Sequence, residues 1–195
     1  MTDLSIHDCR GRVEREFVRR WQGDLPETDG SRLCGPLVPI VMSTKTSPEV
    51  DLRRQWMAID WLCRVHFPAW LDLAGMTEHA TAVRALAELH DKDSAFNAQA
   101  TIGAASDAAY DKARAVAGPT SADEGKDAAW ADVDAAGGDV SRAVSYELRE
   151  GVARAARGGS QHAARSVAKE LRPAVVAMLQ ASAADLVRRM VEDAP

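Results

Sequence analysis

Cys63 and His66 stand one helical turn apart within RRQWMAIDWLCRVHFPAW (residues 53–70), a spacing at which an imidazole can reach a thiol. A working thiolate also needs electropositive surroundings and solvent access. This stretch holds four of the chain's ten Trp, Phe and Tyr residues, so the pair belongs in a core and is assigned no catalysis. Asp60 sits in the same stripe. On a helix it shares a face with Trp56, Cys63 and Phe67, where an unpaired carboxylate would cost several kcal/mol or take up a proton. Arg64, one turn on, offers it a partner, and the backbone of residues 23–47 offers another. Asp60 and Arg64 are therefore candidate binding residues, with a structural pairing weighed beside a ligand pocket or an enzymatic site.

Arginines supply the second candidate surface. Arg10, Arg12, Arg15, Arg19 and Arg20 crowd the positions of an expected first helix over residues 5–22 that its approximate apolar stripe of Ile6, Val13, Phe17, Val18 and Trp21 leaves over. Arg12, Arg15 and Arg19 are the residues we single out there. They suit either a protein partner or nucleic acid, although Glu14 and Glu16 dilute the charge. The whole chain carries a net charge of −5, so its surface as a whole is no nucleic-acid footprint.

Other constellations point to ordinary structure. His79 and His90 lie about 16 Å apart along a helix at ~1.5 Å per residue, too far for one metal ion. HDKD at 90–93 has ligand-type side chains but reads as a C-cap and turn. RGGSQ at 157–161 could hold an anion at a helix N-terminus beside Arg157, yet Gly-Gly-Ser is an ordinary helix connector. No HExxH, CxxC or GxSxG is present, and no metal, cofactor or catalytic residue is assigned. The three cysteines, Cys9, Cys34 and Cys63, read as reduced thiols of a cytoplasmic protein. No apolar leader or membrane span is evident.

The elements that must position these residues are helices. Alanine, with 36 copies, dominates the apolar fraction, and it is a strong helix former that fits poorly in sheets. The expectation is an all-α, antiparallel helical array forming a single domain over 1–195. Residues 1–22 give an Arg-rich helix and 23–47 an irregular loop, in which PLVPIVM is an edge strand or extended plug because of its two prolines. Residues 48–92 give aromatic-centred helices. The first starts at Ser47-Pro48 and ends near His66 ahead of Pro68, and the next runs from Thr77 to about His90. Residues 94–192 give alanine-rich helices, each anchored by one aromatic. Breaks are expected at Gly118-Pro119, Gly137-Gly138, Gly158-Gly159 and before Pro173, with a capping box at SADE (121–124).

The stretch AIDWLCRVHFPAWLDLAGMTEHA, the DAAY and DAAW echoes at 107–110 and 127–130, and LQASAADLVRRM near the end resemble alanine-rich helical proteins of actinobacteria and their phages. The resemblance covers roughly residues 50–192. Some of those proteins are labelled immunity proteins, and the resemblance carries no functional residue across. With no catalytic constellation assembled, the function expected is a non-catalytic protein-interaction module, as an inhibitor, immunity or phage–host regulatory protein. The alternatives are a nucleic-acid-associated regulator using the Arg-rich helix, or an enzyme with a site near Asp60.

Overall fold

Helix is the only regular structure among the described residues, as the composition requires. A computed structural model describes residues 13–44, 47–117, 124–144 and 151–192, with no strand among them. The fold is all-α. Helix α1 (Val13–Asp24) buries Val13, Phe17, Val18 and Trp21 on one face, each 2% exposed or less. The Trp21 indole donates to the Ala135 carbonyl at 2.9 Å, so α1 is an inner wall of the core and not a detachable cover.

The segment expected to be an irregular loop is helical over most of its length. It forms α2 (Glu27–Leu33) and α3 (Val38–Ser43). Its prolines start helices instead of preventing them. Pro26 stands at the N-cap of α2 and Pro39 in the first turn of α3, where a missing N–H costs nothing because that donor has no helical partner. PLVPIVM is therefore neither strand nor plug. Leu37 and Val41, four residues apart, are its buried contacts.

Helix α4 (Pro48–Trp61) starts as expected, with Ser47 Oγ accepting from the Val50 amide. It does not stop near His66. A π turn over Leu62–His66 leads straight into α5 (Phe67–Leu73), and the Phe67 amide bonds back to the Leu62 carbonyl. The wider turn takes up the disruption where Pro68 removes a donor, which lets the helix pass a proline that ordinarily ends one. Trp56, Trp61, Phe67 and Trp70 are all buried.

Helix α6 (Thr77–Arg84) ends earlier than expected, and residues 86–90 run as a non-helical strap. Helix α7 (Lys92–Ala117) is the longest. Then come α8 (Glu124–Ala135), a short 3₁₀ turn (Gly138–Arg142), α9 (Val152–Arg165) and α10 (Arg172–Glu192). The break at Gly137 is real. Its φ is +90°, and a Cβ there would lie 3.1 Å from both Ala183 and Trp61. The break at Gly158-Gly159 is not, for both glycines lie inside α9. A Cβ on Gly159 would sit 2.5 Å from Phe67 Cε2, so this glycine makes room for an aromatic ring. Gly118-Pro119 and most of SADE lie outside the described residues.

Alanines line the contact between α7 and α9. Ala98, Ile102, Ala105, Ala109 and Ala113 of α7 are buried, and α7 makes its most extensive contact with α9, which buries Ala153, Ala156, Ala163 and Ala164. Of the two aromatics of α7, Phe96 points outward, 76% exposed, whereas Tyr110 stands at the edge of the seam with its ring edge-on to His162 of α9, centroids 5.0 Å apart. Across the molecule, a fully buried ion pair joins Glu14 of α1 to Arg54 of α4 at 2.9 Å, and Arg54 Nε also donates to the Met190 carbonyl of α10.

Candidate functional site

Asp60 is tied on two sides. Its carboxylate takes a bidentate pair of bonds from Arg64, Nε to Oδ1 at 2.6 Å and Nη2 to Oδ2 at 2.8 Å. Oδ1 also accepts the Leu89 amide at 2.9 Å. The expected backbone partner in residues 23–47 is replaced by one in the 86–90 strap. Arg64 Nη1 donates to the Leu86 carbonyl at 3.4 Å, so the pair grips the strap at both ends. The physical need is plain: the Leu89 amide and the Leu86 carbonyl have no helical partners, and the Asp60 carboxylate accepts from the one while the Arg64 guanidinium donates to the other.

The strap and the start of α7 enclose a groove of about 380 Å³. Leu86, Ala87 and Ala98 give it an apolar lining, and Glu88, Asp91 and Asp93 bring carboxylates to it. HDKD at 90–93 is the N-terminal cap of α7 and not a C-cap. The Ser94 amide donates to Asp91 Oδ1 at 2.7 Å, and Ser94 Oγ accepts the Asp91 amide at 3.1 Å, a reciprocal pair that starts the helix. That amide and the Ser94 hydroxyl hold the Asp91 carboxyl below the usual carboxylate range. Phe96 does not line the groove, and stands exposed on another face of α7.

The arginine candidates have other occupations. Arg15 donates to the Val41 and Met42 carbonyls at 3.2 and 3.1 Å, closing the C-terminus of α3. Arg19 makes a bidentate pair with Glu16 at 2.8 and 2.7 Å, and Arg20 joins the same carboxylate at 2.6 Å. Arg12 lies outside the described residues. The structure thus brings Asp60 and Arg64 together and leaves Arg15 and Arg19 on partners of their own.

Neither nucleophile candidate is set up for chemistry. Cys63 is fully buried, with its thiol 3.8 Å from the Val152 carbonyl, and burial pushes its pKa far up. His66 is also fully buried and is pushed down to about 3 by desolvation. Its Nε2 accepts from the Trp70 indole at 3.3 Å, and its Nδ1 lies 3.3 Å from Ser160 Oγ. The Ser160 hydroxyl donates its one hydrogen to the Ala156 carbonyl at 2.9 Å. It therefore accepts a hydrogen bond from Nδ1–H, the reverse of what a base-activated serine needs. Packing accounts for this cluster.

Arg157 is not available to an anion, and RGGSQ is helix interior. Its Nη2 reaches Asp134 Oδ1 and Oδ2 at 2.8 and 2.9 Å and Asp139 Oδ1 at 3.2 Å, while Arg142 Nε reaches the same Asp139 oxygen at 3.1 Å. Burial nonetheless pushes the Asp139 carboxyl up to about 6. Among the described residues, no three His, Cys, Asp or Glu side chains gather as a metal site, and no helix is long and apolar enough to cross a membrane.

Sequence reasoning passed over Phe96, Leu86 and Glu88, and considered Asp93 only as part of HDKD. A signal for Phe96 existed. The stripe 98, 102, 105, 109, 113 is complete without it, and two residues before Ala98 lies the opposite face. Comparison with protein-family models, with curated proteins and with solved structures found no match.

Proposed function

We propose that this chain is a non-catalytic helical interaction module that binds a partner protein through the exposed face at the start of α7. Phe96 carries the reading. It is 76% exposed on the face of α7 away from the buried stripe, and the helix packs fully without it. A large exposed aromatic that its own fold does not use is a natural anchor for a protein interface. Asp60 and Arg64 then act structurally, by fixing the strap that leads into α7.

The proteins that the chain resembles make an inhibitor or immunity role the concrete form to test. The nucleic-acid alternative has weaker support, since Arg15 and Arg19 spend their guanidinium groups on α3 carbonyls and on Glu16. The enzyme alternative near Asp60 needs a carboxylate with capacity to spare. Here that carboxylate holds a guanidinium and an amide.

The test compares the immobilised chain with its Phe96→Asp variant in an extract of the native host. We expect a protein retained by the parent and lost by the variant, with the two circular-dichroism spectra superimposable. A partner held equally by both removes Phe96 from the reading, and an extract that yields no retained protein counts against the interaction role itself.

A further inference from the structure

We infer that the outward face at the start of α10 is a self-association surface, on which α10 of a second copy of this chain lies antiparallel across a two-fold axis. The inference goes beyond the docking reading above, for it concerns a different helix. The start of α10 is turned inside out. Its polar side chains point inward: Arg172, 6% exposed, reaches Asp132 and the Val167 carbonyl, and Gln180, 8% exposed, reaches the Ala135 carbonyl. Every exposed residue from 171 to 181 is apolar: Leu171, Pro173, Ala174, Ala177, Met178 and Ala181. Leu171, which ends the 3₁₀ turn Lys169–Leu171 ahead of the helix, is 58% exposed, and Met178 is 52% exposed. A helix that is apolar on its outer face as well as its inner one is suited to being covered on both.

The spacing says what covers it. Leu171, Ala174, Met178 and Ala181 stand at intervals of three, four and three residues, so they form one stripe. Those intervals read the same from either end, with large and small residues exchanged. An identical stripe laid antiparallel therefore sets Leu171 against Ala181 of the second copy and Met178 against Ala174, each large side chain over a small one. A two-fold interface requires such self-complementarity, and an unrelated partner has no need of it. The charges just beyond the stripe agree. Exposed Lys169 precedes it and exposed Asp185 follows it, so antiparallel copies bring each lysine to the other's aspartate, whereas parallel ones set like on like. Asp185 also pairs with Arg188 of its own helix, but with its side chain 70% exposed it has room for a second cation. The stripe spans about 15 Å at ~1.5 Å per residue, a small part of a standard interface, so the dimer should come apart on dilution.

The test is sedimentation equilibrium of the full chain over a range of concentrations, with reductant present so that no thiol links two copies. We expect a reversible monomer–dimer equilibrium. Met178→Asp and, independently, Leu171→Asp alter exposed side chains, so each should keep the parent's circular-dichroism spectrum while weakening the dimer at least about tenfold. Phe96→Asp should leave the dimer as it is. Lys169→Asp and Asp185→Lys should each weaken it, and the chain carrying both should recover it, because the exchanged charges meet again across the axis. A chain monomeric throughout overturns the inference, as does a dimer that survives both Met178→Asp and Leu171→Asp. A double charge variant no better than its singles overturns the antiparallel pairing. If a monomeric parent retains a host protein that Met178→Asp loses, the face belongs to another protein and not to a second copy. The two readings fail separately: a host partner kept by Phe96→Asp sinks the α7 face and leaves the dimer standing, whereas a chain that never dimerises sinks the α10 face alone.

Discussion

Asp60 answers at the residue scale why a carboxylate stands in an aromatic stripe: it is the acceptor for a strap that has no helix of its own. Asp60→Ala should cost about 1–3 kcal/mol, the usual range for stranding a charged partner and an amide together. Denaturant unfolding gives the size, and hydrogen exchange gives the place. Leu89 should lose protection first, and an unchanged Leu89 amide would show that the strap stands without Asp60. Asp139 poses the opposite case, a carboxyl whose burial outweighs two guanidinium neighbours and lifts it to about 6. An unfolded aspartate titrates at about 3.9, so the folded chain holds this proton more tightly. The stability it contributes is complete below about pH 4 and lost as the pH rises through about 6, by up to roughly 3 kcal/mol. Asp24, also raised by burial, slopes the same way. The check is the difference in unfolding free energy between the parent and Asp139→Asn across that window, in which other carboxylates cancel. Parallel profiles would refute it.

Glycine acquires opposite meanings one residue apart at the scale of the element. In α9, a Cβ on Gly158 meets nothing within 4 Å, whereas one on Gly159 meets the Phe67 ring at 2.5 Å. Gly158→Ala should therefore raise stability by up to about 1 kcal/mol through helix propensity. Gly159→Ala gains the same propensity but has to displace a buried ring, and should be destabilising by about 1–3 kcal/mol overall. Thermal melts of the two variants should move in opposite directions, and a stabilised Gly159→Ala would mean that Phe67 is not held by α9. The same ring explains the π turn upstream. Helix α4 continues past its proline because Phe67 and Trp70 are worth burying, and the extra residue in the turn is the smaller cost.

For the whole molecule, the question is whether residues 1–46 are an attachment or a part of the core. The structure favours the second. α1 contributes Phe17, which stacks on Trp21 with ring centroids 5.7 Å apart and lies 6.4 Å from Trp61. Its Glu14 is half of the buried pair whose other half, Arg54, reaches α10. Deleting residues 1–46 should leave Arg54 as an uncompensated buried charge and open the aromatic cluster to water. Loss of cooperative melting and of helicity is the expected result. A truncated chain that melts sharply would show that α4 to α10 close on themselves.

Sequence alone determined the helical class and the burial of the Trp56–Trp70 stripe, and it offered the Asp60–Arg64 pair as one of the alternatives for Asp60. Each follows from composition or from a spacing within one turn, and such local signals survive whatever the rest of the chain does. Tertiary structure decided the rest. Whether Pro39 and Pro68 break a helix depends on what lies above the missing N–H, and whether Gly159 is a joint or a slot depends on a ring 92 residues away. Arg15 and Arg19 look alike in sequence, yet one closes α3 and the other answers Glu16. The groove joins a strap to a helix start, and its outline comes from the Asp60 carboxylate reaching 29 residues along the chain to Leu89. No local pattern encodes such a contact, because its energy arises only when distant segments meet and shed their water.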